Sequence, residues 1–173
     1  RGSDSIYGES IYTDRAEFIG RYQLPFEERI FFSWSYTYHH QDSYYGIMPF
    51  LAKQQIGFGQ LTWDKAVDRH NLLAGLALRY NYMDDNTTAT FDPYKQRNKP
   101  EAGWLPGVFV QDEIRLSKRQ DPLLGLRYDH HSKHGSIFTP RAAWKWKTFE
   151  NGVFRLNAGT GFRVVNIFTE DHA

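Results

Sequence analysis

Side chains that alternate between oily and polar over long stretches leave a backbone little choice but the extended strand, and this chain does so repeatedly. From His70 to Met83, Leu72, Ala74, Leu76, Leu78, Tyr80 and Tyr82 share one parity, while Asn71, Gly75, Ala77, Arg79 and Asn81 share the other. Successive strand side chains point to opposite faces, so one face of this segment is apolar and the other small or polar. A helix cannot separate those two sets. Residues 29–40 repeat the pattern, with Ile30, Phe32, Trp34, Tyr36 and Tyr38 opposed to Ser33, Ser35, Thr37 and His39, and Phe31 alone breaking the polar side. Ala142, Trp144 and Trp146 oppose Arg141, Lys145 and Lys147, and Phe154, Leu156, Ala158 and Phe162 oppose Arg155, Asn157, Gly159, Gly161 and Arg163.

Weaker members fill the gaps. Tyr12, Ala16, Phe18, Tyr22 and Leu24 face away from Arg15, Glu17, Arg21 and Gln23, and Leu124, Leu126 and Tyr128 away from Arg127 and Asp129. Residues 50–64 change parity between Phe58 and Leu61, which reads as a bulge or as a slip in the assigned register. Residues 105–117 put Val108, Val110, Ile114 and Leu116 on the oily side together with Asp112, a placement that a carboxylate tolerates near a membrane interface. The whole reads as about eight strands.

Connections between these segments are expected to alternate. Short polar turns fall at Pro25-Phe26-Glu27-Glu28, Ala66-Val67-Asp68-Arg69, Lys118-Arg119-Gln120-Asp121 and Phe149-Glu150-Asn151-Gly152, and longer loops at His39 to Gly46, Asp84 to Gly103 and His130 to Ser136. Short turns at one end and long loops at the other predict an all-β chain, a transmembrane antiparallel up-and-down β-barrel. Aromatic residues make up 17% of the chain, and Trp34, Tyr36, Tyr38, Trp63, Tyr80, Tyr82, Trp104, Tyr128, Trp144 and Trp146 are expected in the girdles between headgroups and acyl chains.

Composition closes off other classes. Lys+Arg 21 against Asp+Glu 20, mixed along the chain, leaves no basic footprint for nucleic acid. Cysteine is absent, so disulfides, thiolate zinc sites and thiol catalysis are excluded. No apolar run approaches the roughly 18 residues of a membrane-crossing helix. Arg1-Gly2-Ser3-Asp4 has no apolar segment resembling a signal peptide.

The last third carries four ordered motifs: Gly107-Val108-Phe109-Val110-Gln111-Asp112-Glu113-Ile114, Leu124-Gly125-Leu126-Arg127-Tyr128-Asp129, Thr139-Pro140-Arg141-Ala142-Ala143, and Phe154-Arg155-Leu156-Asn157-Ala158-Gly159-Thr160-Gly161-Phe162-Arg163. In that order they resemble the barrel strands of TonB-dependent receptors. Asp84-Asp85-Asn86-Thr87-Thr88-Ala89-Thr90 and Val165 to Ala173 resemble receptors from Bacteroides-type bacteria. The resemblance implies a barrel of about 22 strands around a plug domain, of which residues 1–173 would supply wall strands only, with no plug and no energy-coupling box. It implies a bacterial outer-membrane location, a TonB-type energy-coupling partner acting through the plug, and import of a scarce chelated nutrient such as a ferric siderophore or cobalamin. Phe162-Arg163 runs into Val164-Val165, not the F-R-A-P continuation of the haem receptors, which argues against haem.

Five of the seven histidines fall in the expected rim loops, with acids and phenols beside them. His39, His40, Asp42, Tyr44, Tyr45, Asp84, Asp85, His130, His131 and His134 are therefore the expected ligand contacts, because imidazole and phenol grip a chelated metal or a corrin face. On the opposite, lumen-facing parity, Arg141, Arg155 and Arg163 are expected to hold plug carboxylates, while Gly159 and Gly161 leave room for the plug. No resident metal or cofactor is expected. Catalysis finds no foothold: Asp84 and Asp85 diverge in an extended segment, and neither G-x-S-x-G nor H-E-x-x-H occurs. The alternatives are a self-contained eight-stranded outer-membrane barrel serving as anchor or adhesin, and a soluble β-barrel binding module.

Overall fold

Each alternating segment becomes a strand, because β-branched and aromatic residues on one parity fit a pleated surface covered on that side. The computed structural model describes residues 7–149 and 152–162. In chain order the elements are β1 (Glu9–Gln23), β2 (Arg29–Tyr45), β3 (Met48–Val67), β4 (His70–Asp85), a single 3-10 turn (Thr88–Thr90), β5 (Phe91–Asp92), β6 (Arg97–Asn98), β7 (Glu101–Ile114), β8 (Gln120–His131), β9 (Gly135–Phe149) and β10 (Gly152–Gly159). β5 and β6 form a small hairpin within the connection from β4 to β7. All the others make one antiparallel sheet of eight strands, in the order β1-β2-β3-β4-β7-β8-β9-β10, each paired with its neighbour in sequence. Among the described residues β1 does not pair with β10, so the sheet is open and does not close into the eight-stranded barrel weighed above.

The register decides the faces, since residues directly opposite each other lie on the same side. Leu76 pairs with Leu61 and Val108, Leu61 with Phe32, Phe32 with Tyr22, Val108 with Tyr128, and Tyr128 with Phe138. Every girdle aromatic named above falls on this apolar face, and rings meet along and across strands, as in Tyr80–Trp104 at 4.7 Å and Tyr128–Phe138 at 5.0 Å. Charged and imidazole groups occur on that face only toward its two ends. Glu28, Lys65, His70 and Asp112 lie at the turn end, and Asp14, His40, Asp42, Lys53, Asp84 and His130 at the loop end. Between them runs an uncharged belt.

Two expectations about the strands need correction. The bulge between Phe58 and Leu61 is absent: β3 keeps an unbroken register with both β2 and β4, and Phe58 sits on the polar face. Nor do three long loops crowd one end. β2 runs on to Tyr45 and turns through Gly46 and Ile47, with Gly46 at φ 63°, where a glycine is unstrained. β8 runs on to His131 before a turn through residues 132–134. Only residues 86–100 form an extended connection. Polar composition suggested loops where ladders continue, because the period-two pattern disappears once both faces of a strand are wet.

Asp112 has an explanation. On the apolar face at the turn end, its Oδ2 lies 2.6 Å from His70 Nδ1 on the neighbouring strand. Close by, Glu28 accepts from Lys65 Nζ at 2.5 Å and Trp63 Nε1 at 3.1 Å. The Lys65 hydrogen bond, then that of Trp63, holds the Glu28 carboxyl below its ordinary range.

Candidate functional site

Toward the loop end, the polar faces of β3, β4, β7 and β8 enclose a recess of about 800 Å³. Its walls carry Arg79, Asp85, Glu101, Arg127, His131 and Lys133, over a floor that includes Phe58 and Leu105. Three of these are fixed by local chemistry. Arg127 grips Asp129 with two hydrogen bonds, Nε to Oδ2 and a terminal nitrogen to Oδ1, both 2.7 Å, and the pair lies flat across Gly107, where a side chain would collide with it. Lys133 Nζ reaches Glu101 Oε1 at 2.5 Å, tying the β8–β9 turn to the start of β7. His131 Nδ1 accepts from the backbone N–H groups of Lys133 (3.1 Å) and His134 (3.3 Å), which leaves Nε2 as its donor when the ring is neutral.

Asp85 anchors the connection that overhangs the recess. Its Oδ1 accepts from Thr87 N, Thr87 Oγ1 and Thr90 Oγ1, at 2.9, 2.9 and 2.7 Å, and the buried Thr90 hydroxyl also meets the Asp85 backbone. The other oxygen, Oδ2, is buried without a hydrogen-bond partner among the described residues. Asp129 and Ser43 are fully buried on the same face.

The residues expected to touch ligand are split by the register. His39, Tyr45, Asp85 and His131 share the polar face, whereas His40, Asp42, Tyr44, Asp84 and His130 point from the opposite one. His39, His40, Asp42, Tyr44 and Tyr45 lie within β2, Asp84 and Asp85 end β4, and His130 and His131 end β8, so the expectation of loop placement is corrected for all nine. His134 alone sits in a turn, its ring 4.8 Å from that of His131. His40 faces Asp14 at 3.7 Å on the apolar-face parity. Among the described residues no group of three His, Cys, Asp or Glu side chains is placed to hold a metal ion. Sequence reading missed Arg79, Glu101, Arg127 and Lys133 as site residues; strand register brings the first three to the face of Asp85 and His131, and Lys133 joins them from the β8–β9 turn.

Arg141, Arg155 and Gly159 lie on the polar face of β9 and β10. Among the described residues neither Arg141 nor Arg155 has a carboxylate within ion-pair distance, in contrast to Lys145, which meets Asp121 at 3.3 Å. A Cβ at Gly159 would stand 3.1 Å from the Pro140 carbonyl, and one at Gly161, beyond the strand, would meet nothing. Arg163 lies outside the described residues.

Comparison with known proteins places this architecture. No curated protein matches the chain. Among solved structures it is similar to the siderophore receptor PirA from Pseudomonas aeruginosa, with a TM-score of 0.65 and 16% identity over 92% of this chain and 28% of that one. It is also similar to the siderophore receptor PirA from Acinetobacter baumannii, with a TM-score of 0.62 and 16% identity over 87% of this chain and 25% of that one. The chain thus spans about a quarter of the length of these receptors. The model of the family "TonB dependent receptor-like, beta-barrel" matches residues 3–169, and the chain belongs to that family.

Proposed function

We propose that this chain is a section of wall in a TonB-dependent receptor of a bacterial outer membrane, importing a scarce chelated nutrient through a plugged lumen. The uncharged belt carries the reading. It covers residues 55–63 on β3 and 72–82 on β4, matching the roughly 9–11 residues with which a tilted strand crosses hydrocarbon. The sheet supplies no second layer to cover it. Ala52, Ala77, Met83 and Leu105 are the only buried hydrophobic side chains among the described residues, while Phe18 is 64% and Leu76 58% exposed. A sheet must bury its apolar face against another layer, and lipid would cover that face here, leaving the polar face to water or a polar plug.

Arg141 and Arg155, which have no carboxylate partner among the described residues, would pair with those of a plug, and a TonB-type protein would act on that plug from the periplasmic side. The turn end would face the periplasm and the loop end the exterior. The recess then opens outward, and since Arg127 and Lys133 are already paired with Asp129 and Glu101, Arg79 is, among the described residues, the lining cation left to meet the carboxylates and hydroxamates of a ferric siderophore. Cobalamin is the second candidate, for which the Phe58 ring on the floor offers an apolar contact. The likeness of residues 84–90 and 165–173 to Bacteroides-type receptors supports an origin in such bacteria.

Uptake of radiolabelled ferric siderophore and of cobalamin, each with and without the gene, tests the reading. Loss of one uptake, with the protein in the outer-membrane fraction, is expected. Unchanged uptake of both, or recovery of the protein in the soluble fraction, would refute it.

A further inference from the structure

Along the belt nearly every position is filled by a side chain, with one gap. On β3 the apolar-face residues run Leu61, Gly59, Gly57, Gln55 and Lys53, so two consecutive positions present only backbone. Phe32 and Tyr36 of β2 wall the gap on one side, Leu78 and Tyr80 of β4 on the other, and Trp104 extends the second wall, leaving a groove of about 550 Å³. The glycines are not required by the backbone. Neither has a positive φ, and a Cβ would find its nearest neighbour at 3.6 Å (Phe32) for Gly59 and 3.8 Å (Tyr80) for Gly57, ordinary contact distances. Gly20, on the same face, is different: the Trp34 ring already lies over it. Glycine weakens a strand interior and often marks a close approach by another molecule.

The loop end of the groove turns polar in a fixed order. Tyr36 OH donates to Gln55 Oε1 at 3.1 Å. Lys53 follows, roughly 13 Å along the strand from Gly57 at ~3.3 Å per residue, its ammonium 5.8 Å from the Tyr38 ring centre. Its cross-strand neighbours are His40 and Asp84. The Asp84 carboxylate is engaged by Asn98 Nδ2 at 2.6 Å and by Tyr82 OH at 3.4 Å. We infer that the groove holds one acyl chain of a phosphate-bearing membrane lipid, its chain lying over Gly59 and Gly57 and its phosphate meeting Lys53. The inference rests on the bilayer reading above. It commits to a lipid and not a protein because the groove is continuous with the hydrocarbon-facing belt and its polar group falls where headgroups begin.

The test is photolabelling of the purified protein in phosphatidylcholine vesicles containing a minor fraction of phosphatidylglycerol with a mid-chain diazirine. Adducts mapped by peptide mass spectrometry are expected several-fold in excess on Leu61, Leu78 and Tyr80 over Val108, Val110 and Leu126. Gly57→Leu with Gly59→Leu should abolish the excess, and Gly57→Ala with Gly59→Ala, which fits without collision, should reduce it. Lys53→Gln should lower capture of the phosphatidylglycerol probe more than that of a diazirine phosphatidylcholine probe, whose choline offsets its phosphate. Even labelling across the belt, or an excess that survives both glycine variants, overturns the groove but leaves the bilayer reading intact. Labelling of polar-face residues in place of the belt overturns both.

Discussion

Gly107→Ala probes the Arg127–Asp129 pair, which fastens the polar face where β7 meets β8. Asp129 is 0% exposed, and both its oxygens are held by Arg127 directly above Gly107. A Cβ at residue 107 would overlap Oδ1 and stand 3.0 Å from the guanidinium. The carboxylate is pinned, so alanine must displace it and break at least one of the two hydrogen bonds. A hydrogen bond to a charged group contributes about 1.5–3 kcal/mol. The Arg127 side chain is 35% exposed and can turn toward water, which places the expected loss near the low end, about 2 kcal/mol. With Asp129→Ala in place, only the Arg127 guanidinium remains near the new methyl, and without its partner it can turn toward water. There Gly107→Ala should be neutral or stabilise by up to about 1 kcal/mol, the usual gain on replacing a glycine in a strand. Guanidinium unfolding of the purified protein in detergent micelles, followed by tryptophan fluorescence, gives the four free energies. If Gly107→Ala costs the same with and without Asp129, the collision argument fails.

Other outcomes follow from the same geometry. Gly75→Ala should destabilise by about 1–3 kcal/mol, because its Cβ would strike both the Leu61 carbonyl and the Phe109 ring; heat-modifiability on a gel should show a lower transition than for Gly57→Ala. Thr90→Val should remove the hydroxyl shared by the Asp85 backbone and carboxylate, costing about 1–3 kcal/mol and speeding proteolysis within residues 86–100. For Glu28, whose carboxyl is held below its ordinary 4.5 by Lys65 and Trp63, the stabilisation is present above that ordinary value and disappears as pH falls through the lowered one. The stability gap between wild type and Glu28→Gln should therefore close on acidification below about pH 4.5 in parallel pH titrations of unfolding, and a gap that widens there would contradict the pairing.

Inside the belt the sequence was readable. Hydrocarbon against one face and water or polar packing against the other impose period two, and the strands from Ile30 to Tyr38, Leu72 to Tyr82 and Ala142 to Trp146 announced themselves accordingly. The order of motifs from Gly107 to Phe162 carried the family. Above the belt that contrast vanishes. Ser, His, Gln and Tyr at 39–45 look like a loop, yet β3 pairs with them residue for residue up to Tyr45 opposite Met48. The apparent slip at Phe58 had a similar origin, since a ring on the polar face mimics a change of parity when its neighbours across the sheet are unknown.

Alternating polarity under steric limits on the backbone was enough to dictate strands and their two faces, and the order of motifs pointed to the family. Which residues share the recess depended on register, a property of strand pairs and not of any one strand. Once register is set, Arg79, Asp85, Arg127 and His131, far apart along the chain, line one wall. Pairing partners are chosen by turn geometry and by burial across the whole sheet, and no local stretch of sequence encodes that choice.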